Sequence, residues 1–371
     1  MTARRILLNP GPATTTDTVK HALVVPDICP REREFSHIVA QVRRDLLKVA
    51  GADEATHTAV LLSGPGTAVM EASLGSLVPP EGRVLIIENG AYGERAAQIC
   101  AALGIPASTW RLSWTEQPTV AELERRLDAE RFTHVFWVHH ETTTGMLNPL
   151  STFGAVCRAR GVTSIVDMMS SFAGVAMTLR DEPVDFVLSS ANKCLQGMAG
   201  ISFVIGPRAA IAASAAWARG YSLSLPRAEK GLASGQFPFT PPVQVVYALA
   251  QAIAETLEET VAARAARYHE CHALMLGGMT GLGFEPLLPP PLRSGLLTAF
   301  KIPELPGFTF DGLHDYLYER GITLYPGKIP GTDTFRVATI GALLPSDLAQ
   351  FIAHVNEFLV ILSDAGSVHA S

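Results

Sequence analysis

The chain has 371 residues, 48% of them hydrophobic and 17% charged, and a formal net charge of -6. That length and balance predict a large soluble enzyme with two domains. The acidic balance, with no long basic run, disfavours nucleic acid and anionic membrane as partners. The cysteines (Cys29, Cys100, Cys157, Cys194 and Cys271) are odd in number and form no CxxC pair, so neither a disulfide framework nor a zinc site is expected. The N-terminal stretch MTARRILLNPGP lacks an apolar core, and the longest apolar runs are too short or too charged to span a bilayer. A cytoplasmic protein is expected.

Residues 5–16 read as a short strand followed by a Pro/Gly-broken loop. Residues 36–51 carry apolar side chains at helical spacing (Ile38, Val39, Val42, Leu46, Leu47) and stop at Gly51. Val60–Leu62 reads as a buried strand, residues 63–67 (SGPGT) as a tight turn, and 68–77 as a helix. Such a unit can aim backbone N–H groups at an anion, although an ordinary strand-to-helix turn looks the same. The pattern repeats: strand 83–88, turn 89–93, helix 94–103. A charged helix over 119–126 and a strand over 133–138 lead into HHETTTG. Then come helix 150–160 and strands 162–166, 186–188 and 201–205. Strands alternating with helices predict an α/β fold, a mostly parallel sheet with helices on both faces. In such sheets ligands sit beyond the carboxyl ends of strands. Gly64–Thr67, Tyr92, Thr142, Asp167 and Lys193 all fall at or just past such ends.

Residues 243–274 read as one long helical stretch bridging two domains. Beyond them a smaller α+β unit is expected: strand 296–302, helix 310–320, strands 323–325 and 334–337, and helix 345–362. The expected division is an N-terminal segment (1–16), a large domain (17–255) and a small C-terminal domain (256–371).

Lys193 follows a strand amid small residues (SSANKCLQG), and Asp167 ends an apolar strand (SIVDMMSSF). Alone, the lysine also reads as a solvated charge and the acid as a polar terminus or N-cap. They lie one strand–turn–strand excursion apart, a spacing that lets neighbouring strands bring both to one ligand. Pyridoxal phosphate (PLP) chemistry needs such a pair, together with an anion site for the phosphate and a surface that clamps the ring. His139 and His140 face opposite ways on a strand and cannot share an ion, so no metal site is expected.

The segments LNPGPATTT (8–16), HHETTTGMLNP (139–149), DMMSSF (167–172), SSANKCLQG (189–197) and YPGK…DTFRVATIG (325–341) occur in this order along nearly the whole chain. Together they resemble the 2-aminoethylphosphonate–pyruvate transaminase family, in the class V branch of fold-type I PLP-dependent aminotransferases. That resemblance implies a seven-stranded, mostly parallel sheet in the large domain and a PLP cofactor. It implies small-molecule substrates, 2-aminoethylphosphonate and pyruvate, and a homodimer with its sites at the interface. Carried over residue by residue, it makes Lys193 the Schiff-base lysine and Asp167 the partner of the pyridinium nitrogen. Thr142 would bond the ring 3′ oxygen, Tyr92 would stack on the ring, and Gly66, Thr67 and Asn192 would lie at the phosphate. Thr240 would reach the phosphate of a neighbouring subunit. Arg336 would bind the anionic group of each substrate in turn, with Lys328 and the loop at 10–12 as further anion contacts.

The chain departs from the family pattern at Pro65, Met168, Ala338-Thr339 and the FTPPVQ segment (239–244). These departures leave open another class V transaminase, acting on a related amino-phosphonate or on alanine or serine with glyoxylate or pyruvate. A nucleotide-binding protein using GPGT as its phosphate loop would need a GxGxxG with an acidic partner, or a Walker GK[ST]; neither occurs.

Overall fold

The structure is a computed structural model that describes residues 4–327, 329 and 331–368. Lys328 lies outside them. In chain order the strands are β1 Ile6–Leu7, β2 His57–Ser63, β3 Val84–Glu88, β4 Ala107–Arg111, β5 His134–Val138, β6 His140–Glu141, β7 Met146–Leu147, β8 Thr163–Asp167, β9 Phe186–Ser190, β10 Ile201–Pro207, β11 Leu297–Lys301, β12 Ile322–Thr323, β13 Tyr325–Pro326 and β14 Thr334–Ala338. The helices are α1 Asp17–His21, α2 Arg33–Ala50, α3 Gly66–Leu77, α4 Ala91–Ala102, α5 Val120–Ala129, α6 Ser151–Ala159, α7 Arg208–Ala213, α8 Leu225–Ala233, α9 Val243–Glu259, α10 Val261–Gly281, α11 Phe310–Glu319 and α12 Pro345–Val368.

Seven strands form the central sheet in the order β2-β10-β9-β8-β5-β3-β4. All neighbours run parallel except β10, which is antiparallel to both β2 and β9. The middle strands are apolar on both faces: every residue of β5 and β9 is buried. That is the signature of a sheet covered by helices on both sides. Each strand then ends in polar or small residues at one edge. The carboxyl ends of β2, β3, β5, β8 and β9 therefore share a rim.

A second core lies further along the chain, where Cys271, Met275 and Met279 of α10 pack with Phe300, Phe335, Phe351 and Val355. It surrounds the three-stranded sheet β11-β14-β13. The N-terminal segment crosses to this part of the molecule. Ile6 and Leu7 pair with Ile322 and Thr323 in parallel, and Thr14 bridges to Gly341.

Three expectations change. The stretch read as one helix over 243–274 is two helices, broken at Thr260, whose φ is 68°. The Thr260 hydroxyl accepts from the Ala263 N–H and caps α10. The strand expected over 323–325 is two short strands in different sheets, separated at Leu324. An edge strand, β4, was not anticipated; its sequence ASTWR is mostly polar and only Trp110 is buried. Among the described residues, no helix is long and apolar enough to cross a membrane.

Candidate active site

The rim at the strand ends encloses a cavity of about 470 Å³. The turn after β2 (Gly64–Thr67), Tyr92 and Arg95 of α4, His140 and Thr142 after β5, Asp167 ending β8, and Asn192 and Lys193 after β9 all line it. Topology makes this convergence. Parallel strands send their following residues to one side, and the antiparallel β10 brings Gly200 back to the same edge.

Asp167 is 2% exposed. Its Oδ1 accepts from the Met169 N–H at 2.9 Å, while its buried Oδ2 has no hydrogen-bond partner. Burial pushes this carboxyl up to about 6, against the lowering pull of that N–H and of Lys193 and Arg95. A sealed carboxyl oxygen with nothing donating to it is costly unless something else pairs with it.

Lys193 Nζ donates to the Pro10 carbonyl at 2.7 Å. The N-terminal loop thus reaches the site and meets it with an acceptor. Gly11, at φ 120°, passes so close that a Cβ there would lie 2.3 Å from Lys193 Cδ and 2.6 Å from Nζ. Only glycine fits. Asn192 is held at its own backbone, where its carbonyl accepts from the Ala13 N–H at 3.0 Å.

Helix α3 begins at Gly66, two residues earlier than the sequence indicated, with Pro65 at its N-cap. The proline therefore precedes the helix; the Ala68 N–H turns back to the Pro65 carbonyl at 2.9 Å, and the Gly66 and Thr67 N–H groups come before any helical carbonyl they could bond. Thr142 Oγ1 donates to the Tyr92 hydroxyl at 3.4 Å. The Arg95 guanidinium lies 4.9 Å from the Tyr92 ring centroid, and its Nη1 donates to Thr67 Oγ1 at 3.2 Å.

The two histidines point apart, as strand alternation requires: His139 bonds Ser171 Oγ and His140 Nδ1 bonds the Ser170 carbonyl. Burial depresses His140 to about 4, which keeps its ring neutral, with a buried Nε2 that has no partner. Next to it, Glu141 is fully buried. Its Oε1 accepts from the Thr143 N–H at 3.0 Å and from the Thr143 hydroxyl, and its Oε2 is unpartnered.

Arg336 is also buried, but it does not line the cavity. Its Nε donates to the Pro326 carbonyl at 3.0 Å and its Nη1 to the Thr142 carbonyl at 3.3 Å, so it stands directly behind Thr142. Thr240 is exposed and outside the cavity of its own chain. Sequence reasoning missed Arg95, His140, Met169 and Glu141. An arginine on a helix and a methionine after a strand carry no distinguishing local signal. His140 was set aside only as a metal ligand.

The Aminotransferase class-V profile matches residues 19–330. The chain belongs to the class-V aminotransferases. A 2-aminoethylphosphonate–pyruvate transaminase of Syntrophobacter fumaroxidans is 42% identical over 351 residues, covering 94% of this chain and 94% of that one. The enzyme of the same name from Vibrio vulnificus strain YJ016 is 38% identical, over 95% of this chain and 97% of its own. Among solved structures, an alanine–glyoxylate aminotransferase from Nostoc sp. superposes with a TM-score of 0.89 at 25% identity, over 97% of this chain and 96% of that one.

Class-V aminotransferases use pyridoxal 5′-phosphate. The residues of this cavity fit it. The unpartnered Asp167 oxygen suits a protonated ring nitrogen, and Lys193 is the amine that can link to the aldehyde. The start of α3 suits a phosphate. At Gly66 a Cβ would lie 2.7 Å from Met169 Sδ, so a side chain there would push the Met169 thioether aside.

Proposed function

We propose that this class-V aminotransferase transfers the amino group of 2-aminoethylphosphonate to pyruvate, giving phosphonoacetaldehyde and L-alanine. The observation that carries the chemistry is the convergence on one cavity of Lys193 and the unpartnered Asp167 oxygen. The substrate choice rests on the relatives named for it, which match the chain nearly end to end.

Bound PLP supplies an electron sink that acidifies the carbon bearing the substrate's nitrogen. Lys193 Nζ removes the proton from that carbon and returns it one position along. Asp167 Oδ2 holds the proton on the ring nitrogen. Burial pushes its carboxyl up to about 6, and a cation paired with it favours the ionised form. Thr142 and Tyr92 bond and cover the ring, while Gly66, Thr67 and Asn192 surround the phosphate. Arg336 binds the phosphonate and then the carboxylate, because a guanidinium fork takes either anion through the same donors. Its position behind Thr142 supports an anion subsite beyond the ring's 3′ side. Thr240, exposed on its own chain, supports the reading that it serves a second subunit's phosphate in a homodimer. The same reading divides the chain near residue 256 and places the enzyme in the cytoplasm.

The test is the absorption of the PLP-loaded protein. 2-Aminoethylphosphonate should convert the visible band to that of pyridoxamine phosphate, and pyruvate should restore it. A band that ignores 2-aminoethylphosphonate but answers to alanine or serine would move the assignment to another class V transaminase. Lys193→Ala should abolish turnover and borohydride fixation of the cofactor; transamination retained by that variant would overturn the mechanism.

A further inference from the structure

We propose that Arg95 is the cation that pairs with the phosphate of the bound cofactor at the start of α3. The proposal rests on the PLP reading above and adds a residue to it.

The argument is one of charge. A phosphate monoester carries about -1.5 to -2 charges at neutral pH. The start of a helix offers only about half a positive charge. Among the residues lining the cavity, the cationic side chains are Lys193 and Arg95. Lys193 is committed to the aldehyde carbon, across the ring from the nitrogen that Asp167 faces. Arg95 is therefore the remaining full charge. No carboxylate of the described residues pairs with it.

Its geometry fits the task. Arg95 Nη1 donates to Thr67 Oγ1, so the hydroxyl's oxygen is taken and its proton is free to be donated into the cavity. Thr67 is the second residue of α3, beside the backbone donors of that first turn. One edge of the guanidinium thus orients a phosphate-facing hydroxyl, and the fork leaves further N–H groups for the phosphate itself. The stem is fixed by the Tyr92 ring, over which the guanidinium lies, so little freedom is lost on binding. The buried, unpartnered Asp167 oxygen in the same cavity independently marks the space as one built for a ligand.

The experiment compares two ligands on apoprotein. PLP and pyridoxal, which lacks the phosphate, are titrated into wild type, Arg95→Gln and Arg95→Lys. With Arg95 on the phosphate, Arg95→Gln weakens PLP by about tenfold to a hundredfold and leaves pyridoxal within about twofold. Arg95→Lys, which keeps the charge but not the fork, falls between, and added salt narrows the gap between wild type and Arg95→Gln. If both ligands weaken equally in Arg95→Gln, Arg95 only shapes the Tyr92 wall and the proposal fails. It fails equally if neither changes. Arg95→Lys and the apoprotein melting temperature separate a folding defect from either result. Should wild type bind neither ligand, the PLP reading itself falls, which is a distinct outcome.

Discussion

Glu141 is a carboxyl sealed away from water with one oxygen unpartnered. Burial lifts it from its ordinary 4.5 to about 7, against the Thr143 bonds that favour the charge, and Asp167 nearby adds to the rise. A carboxyl whose folded value is raised binds a proton more tightly when folded. Its stabilising contribution is complete below about 4.5 and is lost as pH rises through about 7. Glu141→Gln cannot ionise and keeps an acceptor for Thr143. Relative to wild type, the variant is expected to gain up to about 3 kcal/mol between pH 4.5 and 8, read from urea midpoints on apoprotein. A wild-type-to-variant difference that stays flat with pH would mean Glu141 is ionised throughout. At this scale Lys193 and Asp167 were legible, because a charge amid small or apolar residues at a strand end is conspicuous. Arg95 and Glu141 were not. Each looks ordinary in its segment, and only the folded neighbours of each, Thr67 with Tyr92 and Thr143 with Asp167, give it meaning.

Elements were legible wherever burial imposed a period. The strands β3, β8 and β9 are apolar runs ending in polar residues, β5 is one followed directly by His139, and the expected spans match them to within a few residues. The junction of α9 and α10 escaped because apolar spacing continues across it, and the break is a backbone feature. Thr260 has φ 68° and ψ 147°, a region rarely used by a β-branched residue, and no Gly or Pro marks it. Its hydroxyl compensates by capping α10 at 3.2 Å from the Ala263 nitrogen. Thr260→Ala should therefore cost about 1 kcal/mol, while Thr260→Ser, which retains the acceptor, should cost far less. Denaturant midpoints measure both, and equal losses in the two variants would remove the cap from the explanation. The split of residues 322–326 into β12 and β13 was illegible for another reason: β13 pairs with the nearby β14, while β12 pairs with β1, which is distant in sequence.

For the whole molecule, the alternation of strands and helices predicted the parallel sheet and the edge where the site lies. The first strand, set apart in the sequence as an N-terminal segment, pairs outside that sheet with β12. The same burial that shapes the interior sets an acid limit. Desolvation depresses His134 to about 4, His139 to about 3, His140 to about 4 and His272 to about 4, from an ordinary 6.5. A base with a depressed folded value loses stability as pH falls from its ordinary value through the folded one. Each of these shifts is worth about 3 to 5 kcal/mol, and together they exceed the opposing gain from Glu141 and Asp167. The apoprotein should thus lose stability between pH 6.5 and 4, seen as a falling urea midpoint. A midpoint that rises over that range would show that the carboxyls dominate.

The crossing N-terminal segment has a consequence for the order of assembly. Pro10 and Gly11 form the seat of Lys193, yet this segment is anchored by residues synthesised much later: Ile322, Thr323 and Gly341, with Arg4 bonding Asp347 across a separation of 343 residues. On the ribosome the segment emerges before its anchors and must wait for them. The central sheet can form meanwhile, since all of its strands lie within residues 57–207. Closing so long a loop is entropically costly and comes late. A nascent chain can thus own a complete sheet and a lysine in place, and still lack the floor beneath that lysine until residues 322–347 have followed.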